Sequence, residues 1–546
     1  MILILIILAL VSIKPYLSNS FPYTHDGENH LARFANYKLA IREGQFPPRF
    51  APNLLNHYGY PVFNYNYPLA NILSLPFSFL KINYEITFKI IIFSFVLAGL
   101  IGVNKWLKSL NFDTKSRIFA SGLFALTPYL INALSYRGNI GEVMAFCLLP
   151  WLLYFIEQPI KKPFTKNGLK FFAQTLVWIM FFLSHNIAVL FGTPLLIIYG
   201  VFKYRKKIIK QISLISSFVL GIISSLWFWL PAVFEKNLVV LDNANLSSSF
   251  SDHFPTLSQL LFSPLEFGFS KIGSIDSLSF QIGLVQIFIV LIALVLLFKK
   301  KLNSLSKFIL FLTLLLFIFQ LQFTSSIWEI IPLVNFIQFP WRLSMFFGVL
   351  LLPLATYVYS KSNKLTKILL LSLIFIQLIS VARVKPADYF HKTNIDYDAF
   401  SQTTSTANEN LPKDFTYHDF SDWAPTAKIL NGEGSVLVDN WRGSKRSYQL
   451  DLTTESIIVE PTAKFLGWET IIDGQKIEYI DNEEIKGRLA YQLPAGQYQV
   501  NSQFTQNTWP RLIGNIVSVL GIIFLIILSS KSYWRKLSEI KNVIKK

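Results

Sequence analysis

The sequence predicts a polytopic α-helical membrane protein of about twelve spans with an extracytoplasmic β-sandwich-like domain. Three observations predict it. First, 52% of the 546 residues are hydrophobic and only 15% charged, with mean hydropathy +0.43, a profile of bilayer-embedded chains rather than soluble enzymes. Second, apolar stretches approach the roughly 20 residues that a helix needs to cross hydrocarbon with its backbone satisfied, and basic clusters separate alternate ones. Third, one long polar segment near the C-terminus alternates apolar and polar residues with the two-residue period of strands.

The first apolar stretch, 2–13, has no basic n-region and no small-residue cleavage site before Lys14-Pro15, so it is read as a retained span. Further spans are expected at 85–103, 118–134, 141–156, 171–183, 187–202, 212–230, 281–298, 308–321, 343–359, 368–381 and 512–528. The stretch 67–80 is also apolar, but Pro68 and Pro76 interrupt it. Its place in the alternation makes it interfacial or re-entrant on the outer side.

Six short segments carry Lys105, Lys108, Lys115 and Arg117; Lys161, Lys162, Lys166 and Lys170; Lys203, Arg205, Lys206, Lys207 and Lys210; Lys299, Lys300, Lys301 and Lys307; Lys361, Lys364 and Lys367; and Lys531, Arg535, Lys536, Lys541, Lys545 and Lys546. Only Asp113, Glu157 and Glu539 accompany them. They hold 26 of the 50 basic residues, so the rest of a chain of net charge +18 is slightly acidic. This is the positive-inside pattern. It places both termini in the cytoplasm and makes the basicity a report of topology, with no nucleic-acid partner. The single cysteine, Cys147, lies in an apolar stretch and allows neither an intrachain disulfide nor a cysteine metal cluster.

The outer side then receives the first loop, 14–66, the stretches 231–280 and 322–342, and a large segment, 385–509. The chain divides into a transmembrane module, 1–384, an extracytoplasmic β-rich domain, 385–509, and a final span with a basic tail, 510–546. The first third of the β-rich segment is polar and irregular. The remainder, from about Ile429, alternates as in SVLVDNW, RSYQLDL and GQYQVNSQF, and Asp473-Gly474 signals a hairpin. Short strands at this spacing indicate a small sandwich.

Polar chemistry concentrates in YTHDGENHLARF, just after the first span. A helix starting near Gly27 puts Asp26, His30, Arg33 and Tyr37 along one face. Asp26 is then either a helix N-cap or a working carboxylate, and capping leaves His25, Glu28, His30 and Arg33 unexplained. Arg137, Asn139 and Glu142 stand at the mouth of one span, His185 and Asn186 in a tight turn, and Glu329, Trp341 and Arg342 before another. The topology brings all of them to one membrane face. Span centres hold almost no charge, Lys89 being the main exception, whereas an ion-coupled transporter is expected to carry ionisable groups near the midplane. Carboxylates and arginines at the outer interface suit a lipid-linked phosphate: arginine grips phosphate through charge-assisted hydrogen bonds, and a carboxylate takes the proton of an attacking hydroxyl.

The stretches HDGENHLAR, FPPRFAPNLLNHYGYPVFNYNYPL, RGNIGEVMAFCLLPWLLY, LSHN and QFPWR, with FLGWETIIDGQ and LPAGQYQV near the end, resemble the 6-pyruvoyl-tetrahydropterin synthase-related membrane proteins, akin to YfhO-like proteins. The wider resemblance is to GT-C glycosyltransferases, whose catalytic carboxylate lies in the first outer loop. It implies a transferase using a lipid-linked (polyprenyl-phosphate) sugar donor and a cell-envelope glycan, lipid or protein acceptor, at the plasma membrane among its lipids. By that likeness Asp26 is the catalytic base and Glu28 its understudy. Arg137 and Arg342 are expected to bind the donor phosphate, with His30, Arg33, Glu142 and His185 supporting. Some GT-C enzymes use a divalent metal, which Asp26 and Glu28 would hold, although no spacing here demands one and no cofactor is certain. Pterin synthase activity is not expected. The seven histidines, His25, His30, His57, His185, His253, His391 and His418, are scattered, and none forms a close zinc-binding pair on a helix. Two other readings stay open: a lipid or polysaccharide transporter or flippase, and a non-catalytic scaffold whose β domain binds glycans.

Overall fold

The computed structural model describes residues 1–161, 163–164, 167–240, 250–273, 275–331, 337–405 and 407–544, the last fourteen as backbone. Lys162, Lys166, Lys545 and Lys546 of the basic clusters, and parts of the expected loops 231–280 and 322–342, lie outside these residues. Among the described residues seven helices are long and apolar enough to cross a membrane, or nine if each of two sharply bent pairs counts as one span. The bent pairs are Ile212–Ile223 with Leu226–Phe234, at 57°, and Ser304–Ile318 with Gln322–Trp328, at 94°. Ile2–Ser12, Gly168–Phe182 and Leu284–Phe298 are apolar but shorter. All twelve expected spans fall on helices, yet length and composition alone support seven to nine crossings. The stretch around 67–80 forms the helix Leu69–Phe79, with Pro76 inside it.

Sequence starts these helices where it should. Asn83, Asp113, Asn303 and Asn363 accept backbone N–H groups at the heads of Tyr84–Ser109, Thr114–Ala125, Ser304–Ile318 and Lys364–Arg383. Tyr84–Ser109 and Ile140–Glu157 pack closely because Gly99 faces Cys147 and Gly102 faces Trp151, whose indole N–H donates to the Ala98 carbonyl at 2.8 Å. Lys89, the charge expected inside a span, sends its ammonium to the carbonyls of Ser18 (2.8 Å) and Ser20 (3.0 Å) at the start of the first loop.

The β-rich segment holds a two-sheet sandwich. Strands Gly434–Trp441, Lys445–Leu452, Gly496–Phe504, Trp468–Ile472 and Gln475–Ile477 pair antiparallel in that order, and Lys428–Asn431, Ser456–Ala463 and Arg488–Leu493 form the second sheet. Tyr448, Leu450, Ile472 and Val500 of the first pack with Ile458, Tyr491 and Leu493 of the second. Asp473 and Gly474, both at positive φ, close the hairpin in which Ile472 pairs with Gln475. A buried carboxylate, Glu460, takes Arg446 Nη1 at 2.7 Å and the Tyr448 hydroxyl at 2.9 Å between the sheets.

The irregular third of this segment is a strap rather than a loose linker. Tyr389–Phe390 pairs with Phe21–Pro22 of the first loop. Glu85 accepts Lys392 N–H (2.8 Å) and the Tyr397 hydroxyl (3.1 Å), and Lys38 pairs with Asp398 at 2.9 Å. Below it the sandwich sits on the first loop: Phe50 packs between Trp468 and Phe504, and Glu43 accepts Ser444 N–H at 2.8 Å. The first loop is thus held between the helices and the C-terminal segment.

Candidate functional site

Three chain segments build the polar centre. The first is the head of the helix Gly27–Arg42. Asp26 occupies its N-cap position, but the side chain makes no capping bond, and Thr24 Oγ1 accepts Gly27 N–H (3.2 Å) instead. The Asp26 carboxylate is half-buried and accepts Asn139 Nδ2 at 3.1 Å. The second segment follows a π-helical turn, Ala133–Arg137, that ends on Gly138 at φ +61°. A Cβ at Gly138 would stand 2.1 Å from Thr24 Oγ1, so only glycine lets the two segments meet. They are stitched by His25 N–H to the Tyr136 carbonyl (3.0 Å) and Asp26 N–H to the Arg137 carbonyl (2.8 Å). Asn139 then caps Ile140–Glu157, accepting Glu142 N–H (3.0 Å) and the Tyr67 hydroxyl (3.1 Å) through its carbonyl oxygen while its amide serves Asp26.

The third segment, Pro340–Leu343, brings Arg342. The fully enclosed Glu142 carboxylate binds both Arg137 Nη1 and Arg342 Nε, the latter at 3.0 Å, and accepts the Tyr129 hydroxyl at 2.7 Å. His185 Nε2 lies 3.6 Å from it. Because His185 Nδ1 accepts Ala188 N–H (3.3 Å), the ring proton belongs on Nε2, facing Glu142. Trp341 lies over Arg137 and Phe339 over Arg342, at 4.9 and 4.8 Å. Both guanidiniums share the Glu142 carboxylate, and the Asp26 carboxylate acts electrostatically on Arg137 as well. The remaining N–H groups of both arginines make no hydrogen bond among the described residues. An arrangement of this kind can receive an anion beside a carboxylate.

The structure therefore brings together Asp26, Arg137, Glu142, His185 and Arg342, with His30 buried against the Tyr67 ring, 6.0 Å between centroids. It also gives three of the expected site residues partners within the protein. The Glu28 carboxylate pairs with Lys392 of the strap. Arg33 donates from Nε to Thr404 Oγ1 at 2.9 Å and from Nη2 to the Thr404 carbonyl, so it anchors the strap. The enclosed Glu142 carboxylate meets Arg137, Arg342, Tyr129 and His185. Glu329 is exposed. Tyr67 and Tyr129 also reach the centre, and no sequence signal marks them, because interfacial tyrosines are ordinary in membrane proteins. As for a metal, Glu28 is tied to Lys392 and Asp26 to Asn139, and among the described residues no three His, Cys, Asp or Glu side chains could hold an ion together. The residues do not fit a metal centre.

Burial pushes His25 down to about 4, helped by Arg137 and opposed by Asp26; it pushes His185 down to about 3 and His30 well below the usual range. All three are neutral at pH 7. Unfolded imidazoles titrate near 6.5, so between about pH 6.5 and 4 the unfolded chain binds more protons than the folded one. Stability is accordingly complete above about pH 6.5 and lost as pH falls, by on the order of 1 kcal/mol per pH unit for each ring. Thermal unfolding of the purified protein should show a lower midpoint at pH 5 than at pH 7; an equal or higher midpoint at pH 5 would contradict the burial of these rings.

Fold and site together define a multi-span helical membrane protein with a C-terminal sheet domain and a charged centre at one end of its helices. Residues 63–387 match the 6-pyruvoyl-tetrahydropterin synthase related domain, described as a membrane protein, and this match covers more than half of the chain. The chain belongs to that family. Comparison with curated proteins gives no match. Among solved structures the chain is similar to the arabinofuranosyltransferase AftD from Mycobacteria, determined by cryo-electron microscopy, with 14% identity and a TM-score of 0.40, over 70% of this chain and 26% of that one. The chain thus spans about a quarter of that protein, a likeness too low to transfer an activity.

Proposed function

We propose that the protein is a GT-C type glycosyltransferase that moves a sugar from a polyprenyl-phosphate donor to a cell-envelope acceptor at the outer face of the plasma membrane. The observation that carries this reading is the Asp26 carboxylate, free of any capping bond, beside two arginines that share Glu142 and keep further N–H groups without a hydrogen bond among the described residues. In the proposed step Asp26 accepts the proton of an acceptor hydroxyl, and that oxygen bonds to the anomeric carbon. The bond from this carbon to the phosphate oxygen breaks, and its electron pair leaves with the phosphate. Arg137 and Arg342 hold the phosphate and stabilise the charge it gains. Glu142, His185 and Tyr129 keep the arginines aimed, and His30 packs behind them. The basic clusters favour cytoplasmic termini and an extracytoplasmic sandwich.

Mass spectrometry of envelope glycans and lipid-linked sugars, with and without the protein, tests the reading. The expected result is loss of one glycan modification with accumulation of one lipid-linked sugar. Unchanged profiles would sink it. In a Cys147→Ser background, a cysteine at position 53 should react with an impermeant label in intact cells; labelling only after permeabilisation would put the site on the wrong side.

A further inference from the structure

Beside Asp26 lies an aromatic surface that the proposed chemistry leaves unused. The His25 ring stacks on Phe269, centroids 4.5 Å apart and planes 12° from parallel, and meets Phe267 edge-on at 5.2 Å. Phe267 also contacts Phe269 at 5.7 Å and Tyr23 at 6.3 Å, and Tyr136 supports it from below at 6.3 Å. Tyr23 is 48% and Phe269 52% exposed, so the group presents rings outward rather than filling a core. His25 Nε2 is enclosed without a hydrogen-bond partner. The backbone bonds from His25 and Asp26 to residues 136 and 137 fix this surface relative to the carboxylate.

We infer that Tyr23, His25, Phe267 and Phe269 form the subsite that binds a saccharide acceptor, with a sugar ring lying on the exposed aromatic faces and its hydroxyl directed to Asp26. This rests on the transferase reading and narrows its acceptor to a carbohydrate. The C–H face of a sugar ring is apolar with slightly positive hydrogens, which suits the negative face of an aromatic ring. Its hydroxyls both donate and accept, so they pair with the Tyr23 hydroxyl on the exposed side and with the Asp26 carboxylate. Ile272 and Ile275 on the same loop, 63% and 73% exposed, raise membrane insertion as the competing use. Hydrocarbon would leave the exposed Tyr23 hydroxyl unpaired at a cost that a sugar avoids.

The experiment uses the full chain in nanodiscs with four neutral probes: cello-, malto-, manno- and arabino-hexaose, followed by saturation-transfer NMR. At least one hexasaccharide should bind the native protein, and bind Phe269→Ala and Tyr23→Ala about five- to tenfold more weakly. Binding of none of the four, or equal binding by Phe269→Ala and Tyr23→Ala, overturns the subsite. A spin label on Phe269→Cys, in the Cys147→Ser background, should be reached by a water-soluble relaxant and protected by the bound hexasaccharide. A label reached only by oxygen from the bilayer interior assigns the surface to the membrane and also overturns it. Saccharide binding that persists while no sugar transfer is detected would instead sink the transferase reading and leave the subsite standing.

Discussion

Asp26→Asn should abolish sugar transfer, by about 10²–10⁴-fold in turnover, while leaving expression, folding and donor binding near native levels. The geometry makes this substitution unusually clean. Asp26 makes no capping bond, so the helix Gly27–Arg42 does not depend on its charge. The one side-chain bond it makes, from Asn139 Nδ2 at 3.1 Å, can be accepted equally by an asparagine carbonyl oxygen. The change therefore removes proton affinity and little else. Turnover in membranes or nanodiscs, with thermal unfolding alongside, is the measurement. Near-normal transfer would take Asp26 out of the chemistry, and a large loss of stability would make it structural.

Glu142→Gln should be the most damaging single change to stability. The enclosed carboxylate is the shared counter-charge of Arg137 and Arg342, and removing one partner of a buried ion pair typically costs about 3–5 kcal/mol. Donor binding should fall with it, because the arginines lose their orientation. A second variant separates the two effects: Glu142→Gln combined with Arg342→Gln leaves one uncompensated guanidinium instead of two. The double variant should regain part of the thermal midpoint without regaining donor affinity. Recovery of both would mean that Arg342 holds no phosphate, and a native midpoint in the single variant would refute the shared counter-charge.

Hydropathy and charge alternation made the helices readable, since each span must satisfy its backbone within hydrocarbon and lysines collect on one side. The sandwich was readable from its two-residue period and the Asp473-Gly474 turn. What escaped was set by tertiary contact. The bend near Phe319 follows no sequence punctuation, although the one at Ser224-Ser225 has a serine that bonds back to the Gly221 carbonyl, and the strap has no period because its side chains serve separate partners such as Glu85, Lys38 and Arg33. At the site, Asp26, Arg137, Glu142 and Arg342 could be picked out because their chemistry is costly at a membrane edge. That Glu142 joins Arg137 to Arg342 could not, because 200 residues separate it from Arg342. Arg33 was picked out by helical spacing and Glu28 by the likeness to GT-C enzymes, and the partners they meet, Thr404 and Lys392, lie in a stretch without local pattern.

The strap has a consequence for biosynthesis. Thr404 is 371 residues beyond Arg33, and Lys392 is 364 beyond Glu28. At about 5–20 residues per second, the first loop emerges roughly 20–70 s before the ribosome has made the residues that fasten it. Through that interval the helix carrying Asp26 gains its neighbours one by one, Arg137 and then Arg342, and still has no cover. A chain that terminates before the strap leaves Arg33 and Glu28 unpaired, so truncated products should be recognised and degraded rather than persist as working fragments. The carboxylate assigned to the chemistry is encoded among the first thirty residues, yet its surroundings are completed only by the last third of the message.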